Sequence, residues 1–355
     1  MTINLYITST QNFSGKSAIC VTLMHRLRRD GYQVGYLKPF SSAARVMAES
    51  SVDEDARFFK EMFNLAEPVE TLAPVVVTNQ RIRKILAEGG ANYGETVEKA
   101  VETVSQGKDI VLMEGSDNFR EGRIVNLAPS QVVNLVGAKV ITVVGYQNSL
   151  QVVDDILTAQ VRIGQRLLGV IINAVPDSRA DFVNDLVKPY VQAQGVQVWA
   201  ILPYQNMLRS ISIDEMVQYL EGELLCCASP DELVENLMVA AMSVEQALTH
   251  FRQVTNKAVI VGGDRPDIQL AAMETSTKAL ILTGNMRPNP MVEARAEERG
   301  VAIILSPYDT LTTVERVEQF FGKTRFHQTE KIAHFEQLLN NTLNFAELYR
   351  AIGLK

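Results

Sequence analysis

Cysteine is scarce: three among 355 residues, Cys20, Cys226 and Cys227. So few rule out a disulfide framework, and the adjacent Cys226 and Cys227 would make poor ligands for one zinc ion. Reduced, buried thiols are expected instead. Positive charge is not in excess either. Lys and Arg number 34 against 41 Asp and Glu, giving a formal net charge of -7 and a pI near 5.3. That balance argues against broad binding to nucleic acid or anionic membrane. Long apolar runs are missing too. The stretch Val132–Tyr146 is interrupted by Asn134 and Lys139 and is too short to span a bilayer. The first apolar segment begins at Ile3, which leaves no room for a signal peptide, so a cytoplasmic location is expected.

The segment Ile3–Ile7 reads as a buried strand, and the pattern Lys16–Asp30 as a helix that Gly31 ends from C′. Between them lies Thr8-Ser9-Thr10-Gln11-Asn12-Phe13-Ser14-Gly15-Lys16-Ser17. Gly-Lys-Ser between a strand and a helix is the working end of a phosphate-binding loop. Its backbone N–H groups and the positive helix end suit phosphate oxygens. Lys16 would reach the outer phosphates, and Ser17 would face magnesium. The first glycine of the usual loop is lacking, with Thr10 or Ser9 in its place according to loop length. The alternative is a plain strand-to-helix turn with a solvated Lys16.

Further strands are expected at Gln33–Leu37, Asp109–Met113, Lys139–Val144, Gly169–Asn173 and Gln197–Leu202. Helical patterns separate them near Asp55–Phe63, Gly94–Gln106, Leu150–Ile163 and Arg179–Gln194. This alternation predicts a P-loop NTPase-like, doubly wound parallel sheet, an α/β fold. Chemistry-bearing residues stand at its strand ends. Lys38 follows one strand, where it would meet a phosphate or an acidic substrate. Glu114 closes the apolar run Ile110–Met113, where an acid would hold magnesium. Asp53-Glu54-Asp55 opens a helix, either as cap and dipole partner or as a carboxylate on the metal. Asn173 offers an amide suited to an adenine edge, or else to a turn bonding its own backbone.

A seam is expected near residue 225, dividing a nucleotide-binding domain (1–225) from a smaller three-layer α/β domain with flanking helices (226–355). Ser229-Pro230-Asp231-Glu232 reads as a helix start, and Pro230–Phe251 as a linker helix. Strands Lys257–Val261, Lys278–Leu282 and Val301–Leu305 then alternate with helices Ile268–Thr275, Pro290–Arg299 and Leu311–Phe320. Gly263, Asp264, Arg265, Thr283, Gly284, Asp309 and Thr310 fall at strand carboxyl ends, where a second ligand would bind. Caps and tight turns are the competing explanation. The tail Glu330–Ile352 reads as one amphipathic helix that needs a cover.

These motifs resemble known families. Ser14-Gly15-Lys16-Ser17, Tyr36-Leu37-Lys38-Pro39, Asp53-Glu54-Asp55, Glu114-Gly115, Ile171-Ile172-Asn173 and Ala200-Ile201-Leu202-Pro203 resemble the dethiobiotin-synthetase-like P-loop domain. Gly262-Gly263-Asp264-Arg265-Pro266-Asp267-Ile268-Gln269, Leu282-Thr283-Gly284 and Ser306-Pro307-Tyr308-Asp309-Thr310 resemble the DRTGG domain. The pairing is similar to the amino-terminal regulatory half of long bacterial phosphotransacetylases, without the acetyl-transferring domain. The resemblance implies ATP and Mg2+ as ligands. It implies Asn12, Ser14, Gly15, Lys16, Ser17, Ala18 and Asn173 as nucleotide-binding residues. Ser17, Asp55 (or Asp53) and Glu114 would hold the metal, and Lys16 and Lys38 would carry any catalysis. Residues 116–123 depart from the glycine-rich stretch of dethiobiotin synthetase.

Three functions follow as expectations. The first is a regulatory nucleotide-binding protein. The second is an ATP-dependent ligase or kinase acting on a small carboxylate. The third is an oligomeric scaffold with a vestigial loop. A homo-oligomer, dimer or higher, is expected, and a protein partner through the C-terminal domain is compatible with all three.

Overall fold

A computed structural model describes residues 2–42, 44–47, 50–226, 229–320, 326 and 328–354. Cys227 lies outside the described residues. The chain forms two compact units, Met1–Tyr204 with Ile332–Lys355, and Gln205–Lys331.

The first unit is built on a six-stranded parallel sheet. Its spatial order is Val34–Leu37, Ile110–Glu114, Ile3–Ser9, Lys139–Gly145, Leu167–Val175, Val198–Pro203. The strands are apolar on both faces because helices cover both. Val144, Val170 and Ile172 pack with Val152 and Ile156 of helix Ser149–Ile163, and with Val183, Val187 and Val191. Chain order reverses on either side of Ile3–Ser9. The carboxyl end of that strand is therefore the switch point, where a crevice opens in such sheets. There the chain turns into helix Lys16–Arg29. This helix ends in a Schellman arrangement: Gly31, at φ +95°, donates to the Arg28 carbonyl, and Tyr32 donates to that of Leu27.

The tail is two helices, not one. Thr329–Thr342 and Phe345–Ile352 are separated at Asn344, whose side chain accepts the Glu347 N–H and starts the second helix afresh. Leu339, Leu343, Phe345 and Leu348 are buried. Tyr349 donates to Asp30, and Arg26 lies over the Phe345 ring.

The second unit carries a five-stranded sheet ordered Glu223–Cys226, Ala302–Leu305, Thr277–Thr283, Lys257–Gly262, Asn236–Val239. The first of these runs antiparallel to its neighbour and the others are parallel. Alternation of side chains divides the core in two. Ala258 and Ile260 face Met216, Leu220 and Val317 on one side. Val259 and Val261 face Ala247, Phe251, Ile268 and Val292 on the other.

Two expectations are corrected here. No helix spans Pro230–Phe251. Leu233–Val234 pairs with Ile211–Ser212, Asn236–Val239 lines the edge of the sheet, and the helix is confined to Val244–Phe251. The open edge of Lys257–Gly262 offers a ladder of hydrogen bonds that outweighs a local capping signal. Leu237 and Met238 then point to opposite sides of the sheet, as strand residues do. The division also falls at Tyr204, not near 225, because helix Ile213–Leu220 buries Met216 and Leu220 against the second sheet. The tail from Ile332 onward belongs to the first unit.

Candidate functional site

The phosphate loop is held open by its own sequence. Gly15 sits at φ +95°, a left-handed conformation costly for any residue with a side chain. A Cβ there would stand 2.5 Å from the Asn173 amide nitrogen. The first intrahelical bond runs from Ile19 to the Gly15 carbonyl. The N–H groups of Lys16, Ser17 and Ala18 therefore precede the helix's own ladder. The first turn carries no acid, while Arg26, Arg28 and Arg29 occupy the last. The helix dipole is thus left uncompensated at the loop end, where an anion is favoured.

Ser9 does not crowd this cradle. It is fully buried at the strand end, with its hydroxyl 2.9 Å from the Gln11 carbonyl and 3.0 Å from that of Asp117. Asn173, expected as an adenine reader, has both ends of its amide engaged. It donates to the Ser14 carbonyl at 2.8 Å and accepts the Ala174 N–H at 2.9 Å. Ala174 adopts φ +59°, a strained conformation that keeps the amide on the loop. Asn12 is exposed and accepts from Asn118. Ser14 is buried, and its hydroxyl has no partner among the described residues.

The carboxylates gather beside the loop. Ser17 donates to Glu114 at 2.6 Å, and the buried Tyr36 hydroxyl donates to the other Glu114 oxygen at 2.8 Å. Tyr36 is stacked on Phe59, with centroids 3.8 Å apart. Burial and, next, the charge of Asp55 push the Glu114 carboxyl above its ordinary value; Lys38, Ser17 and Lys16 oppose them. Lys38 sits 2.5 Å from Asp55 and 3.0 Å from Asp53. Burial alone would lower its pKa, but Asp55, Asp53 and Glu114 outweigh burial and hold it well above the usual lysine value. Asp53 also accepts from Ser41 and caps helix Glu54–Phe63 through the Ala56 N–H. Lys16 is buried, with its ammonium 3.5 Å from Asp117.

Sequence patterns therefore brought together Gly15, Lys16, Ser17, Lys38, Asp55, Glu114 and Asn173. Tyr36 escaped them, since a tyrosine in an apolar run reads as core. Among the described residues, no group of three or more His, Cys, Asp or Glu is placed to hold a metal. A magnesium ion needs only one or two protein oxygens beside nucleotide phosphates and water. The Ser17–Glu114 pair supplies these. The orphaned Ser14 hydroxyl also suits an anion. Asp55 is less available, being bound to Lys38.

In the second unit, Thr283 and Thr310 share a hydrogen bond of 2.8 Å, and Gly284, at φ +79°, donates to the Tyr308 carbonyl. Asp309 caps its helix through the Thr312 N–H. Gly263 lies so close to Met286 that a Cβ would stand 2.3 Å from its carbonyl. Arg265 pairs with Asp267, and Asp264 is exposed. Gln269 is fully buried and donates to the Gly262 and Gly263 carbonyls. A polar residue on the inner face of helix Pro266–Met273 was the signal that would have marked it.

Family models match two stretches: an AAA domain at residues 3–212 and a DRTGG domain at 215–320. Phosphate acetyltransferase of Synechocystis sp. is 24% identical over 384 residues, covering 100% of this chain and 53% of that protein. That of Nitratidesulfovibrio vulgaris is 25% identical over 371 residues, covering 98% and 51%. The chain thus spans about half the length of these relatives. The ATP-dependent dethiobiotin synthetase of Caldicellulosiruptor saccharolyticus is 26% identical over 114 residues, 31% of this chain and 46% of that one. Among solved structures, the CBS and DRTGG regulatory region of Clostridium perfringens pyrophosphatase, complexed with the activator diadenosine tetraphosphate, matches at 18% identity. It covers 39% of this chain and 69% of its own, with a TM-score of 0.30. A ParA family ATPase from Chlorobium tepidum matches at 12% identity, 58% and 86% coverage and a TM-score of 0.34.

Proposed function

Since the chain belongs to the AAA domain family, we propose that it is a magnesium-dependent nucleotide-binding protein with a regulatory role and no acetyltransferase activity. The observation that carries this is the Ser17–Glu114 hydrogen bond of 2.6 Å. It brings the hydroxyl of Gly-Lys-Ser to the acid at the neighbouring strand end, the pair that magnesium uses beside a nucleotide. Lys16 and the first-turn N–H groups hold the phosphates, and Tyr36 orients Glu114. When bound, magnesium neutralises phosphate charge. The DRTGG domain suits a partner-facing or ligand-sensing part, in a homo-oligomer of cytoplasmic location.

Isothermal calorimetry with ATP, ADP and AMP, with and without magnesium, tests this on the full chain. Magnesium-dependent ATP or ADP binding that Lys16→Ala removes is the expected result. Binding that survives Lys16→Ala moves the site to the second unit, and no heat with any nucleotide sinks the proposal.

A second function, phosphoryl transfer to a small carboxylate, is favoured by Lys38. Its ammonium is fixed by Asp53 and Asp55 beside Glu114, where it would steady a transferred phosphoryl group. ADP release that depends on one added acid separates this from a switch.

A further inference from the structure

Lys16 is the cation that a bound nucleotide's outer phosphates must reach, yet a carboxylate already faces it. Asp117 stands 3.5 Å from the Lys16 ammonium. Three features hold it there. Gly115 donates to the Ile7 carbonyl at 2.8 Å, and a Cβ on Gly115 would be 2.9 Å from the Tyr6 ring, so the chain after Glu114 lies tight against the central strand. The Asp117 carbonyl meets the Ser9 hydroxyl, and the Asp117 N–H donates to Glu121 at 2.8 Å. Glu121 in turn accepts from Ser42. At the far end Gly122, at φ +85°, accepts from Leu127, and a Cβ there would be 2.6 Å from the Leu127 carbonyl.

The geometry points to Asp117 as a specificity-determining residue that occupies the place of an outer phosphate oxygen and so disfavours nucleoside triphosphate relative to diphosphate. The inference rests on the phosphate-loop function proposed above. The physical basis is like charge. A γ-phosphate drawn to the buried Lys16 comes within a few ångströms of the Asp117 carboxylate, whose side chain is 46% exposed, so water weakens the repulsion without removing it at this short range. A diphosphate, held chiefly by the loop N–H groups, suffers less. Ser9, which stands where a loop one residue longer than usual has glycine, takes part by bonding the Asp117 carbonyl.

The test titrates MgADP and MgATP into the full chain as wild type, Asp117→Asn, Asp117→Glu and Lys16→Ala. Asp117→Asn keeps the shape and removes the charge. It should tighten MgATP by about tenfold more than MgADP, given the strength of a close like-charge pair, while Asp117→Glu retains the wild-type preference. Equal change for both nucleotides, or no change, overturns the inference. Wild-type binding that Lys16→Ala removes upholds the phosphate loop whatever Asp117 does. If wild type binds neither nucleotide, binding gained by Asp117→Asn supports the inference, and continued silence refutes it together with the loop function.

Discussion

The Lys38 ammonium lies 3.0 Å from the carboxylate of Asp53, a residue only 1% exposed. Neither charge can return to water without the other, because Asp53 also caps helix Glu54–Phe63 and accepts from Ser41. Asp55 completes the arrangement from the first turn of that helix. The strand end that carries Lys38 and the helix that follows are thereby fastened beside the phosphate loop.

Replacing one partner of such a pair leaves a buried charge uncompensated. Lys38→Met should cost about 3 kcal/mol at pH 7. Because its partners hold the Lys38 pKa above the ordinary 10.5, its stabilisation is complete below that pH and is lost only as pH rises through the folded value. Urea unfolding followed by the fluorescence of Trp199, the sole tryptophan and part of the first unit, reads the loss. A variant as stable as wild type would show the pair to be idle.

Glu114 behaves in the opposite sense. Its carboxyl is raised above the ordinary 4.5, chiefly by burial, so its contribution to folding is full below pH 4.5 and is lost as pH rises through the folded value. Glu114→Gln should therefore raise the melting temperature of the nucleotide-free protein at pH 7 and leave it unchanged at pH 4. The same variant should lose the magnesium-dependent part of nucleotide affinity. A fall in melting temperature at pH 7 would contradict the argument.

Gly15→Ala meets two penalties, a left-handed backbone and the Asn173 amide at 2.5 Å. A loss of about 1–3 kcal/mol is expected, along with nucleotide binding. Relief by the double variant Gly15→Ala, Asn173→Ala would assign part of the cost to the collision.

Leu339 in the tail helix Thr329–Thr342 is wholly buried. Leu339→Ala should destabilise the first unit by about 2–5 kcal/mol, although the residue is far in sequence from the sheet. Trp199 fluorescence in denaturant would report it, and an unaltered midpoint would mean that the tail adds nothing.

Much of this fold is written in local pattern. The run Ile110–Met113 is apolar without a break, and Val140–Val144 is broken only by the buried Thr142, because both sheet faces are covered, so their strands and the acid that ends one of them could be read directly. Lys16 and Ser17 were legible from spacing alone. What escaped depends on long-range partners. Asn236–Val239 became strand because Lys257–Gly262 had a free edge, a fact absent from the segment itself. Asn173 reaches the loop only once Leu167–Val175 lies two strands from Ile3–Ser9. Tyr36 and Asp117 look like core and loop residues until folding sets one against Glu114 and the other against Lys16.

The first unit is assembled from two separated stretches, 1–204 and 332–355. Synthesis runs from the amino end, so the sheet emerges from the ribosome well before the helices that cover part of its unit. At typical elongation speeds the intervening and final residues take about 10–30 s to appear. Throughout that interval the nascent sheet domain shows bare the surface that Leu339, Phe345 and Leu348 will later occupy. Until residues 332–355 have been made, that face of the first unit lacks its cover and is exposed apolar surface of the kind that invites misassociation.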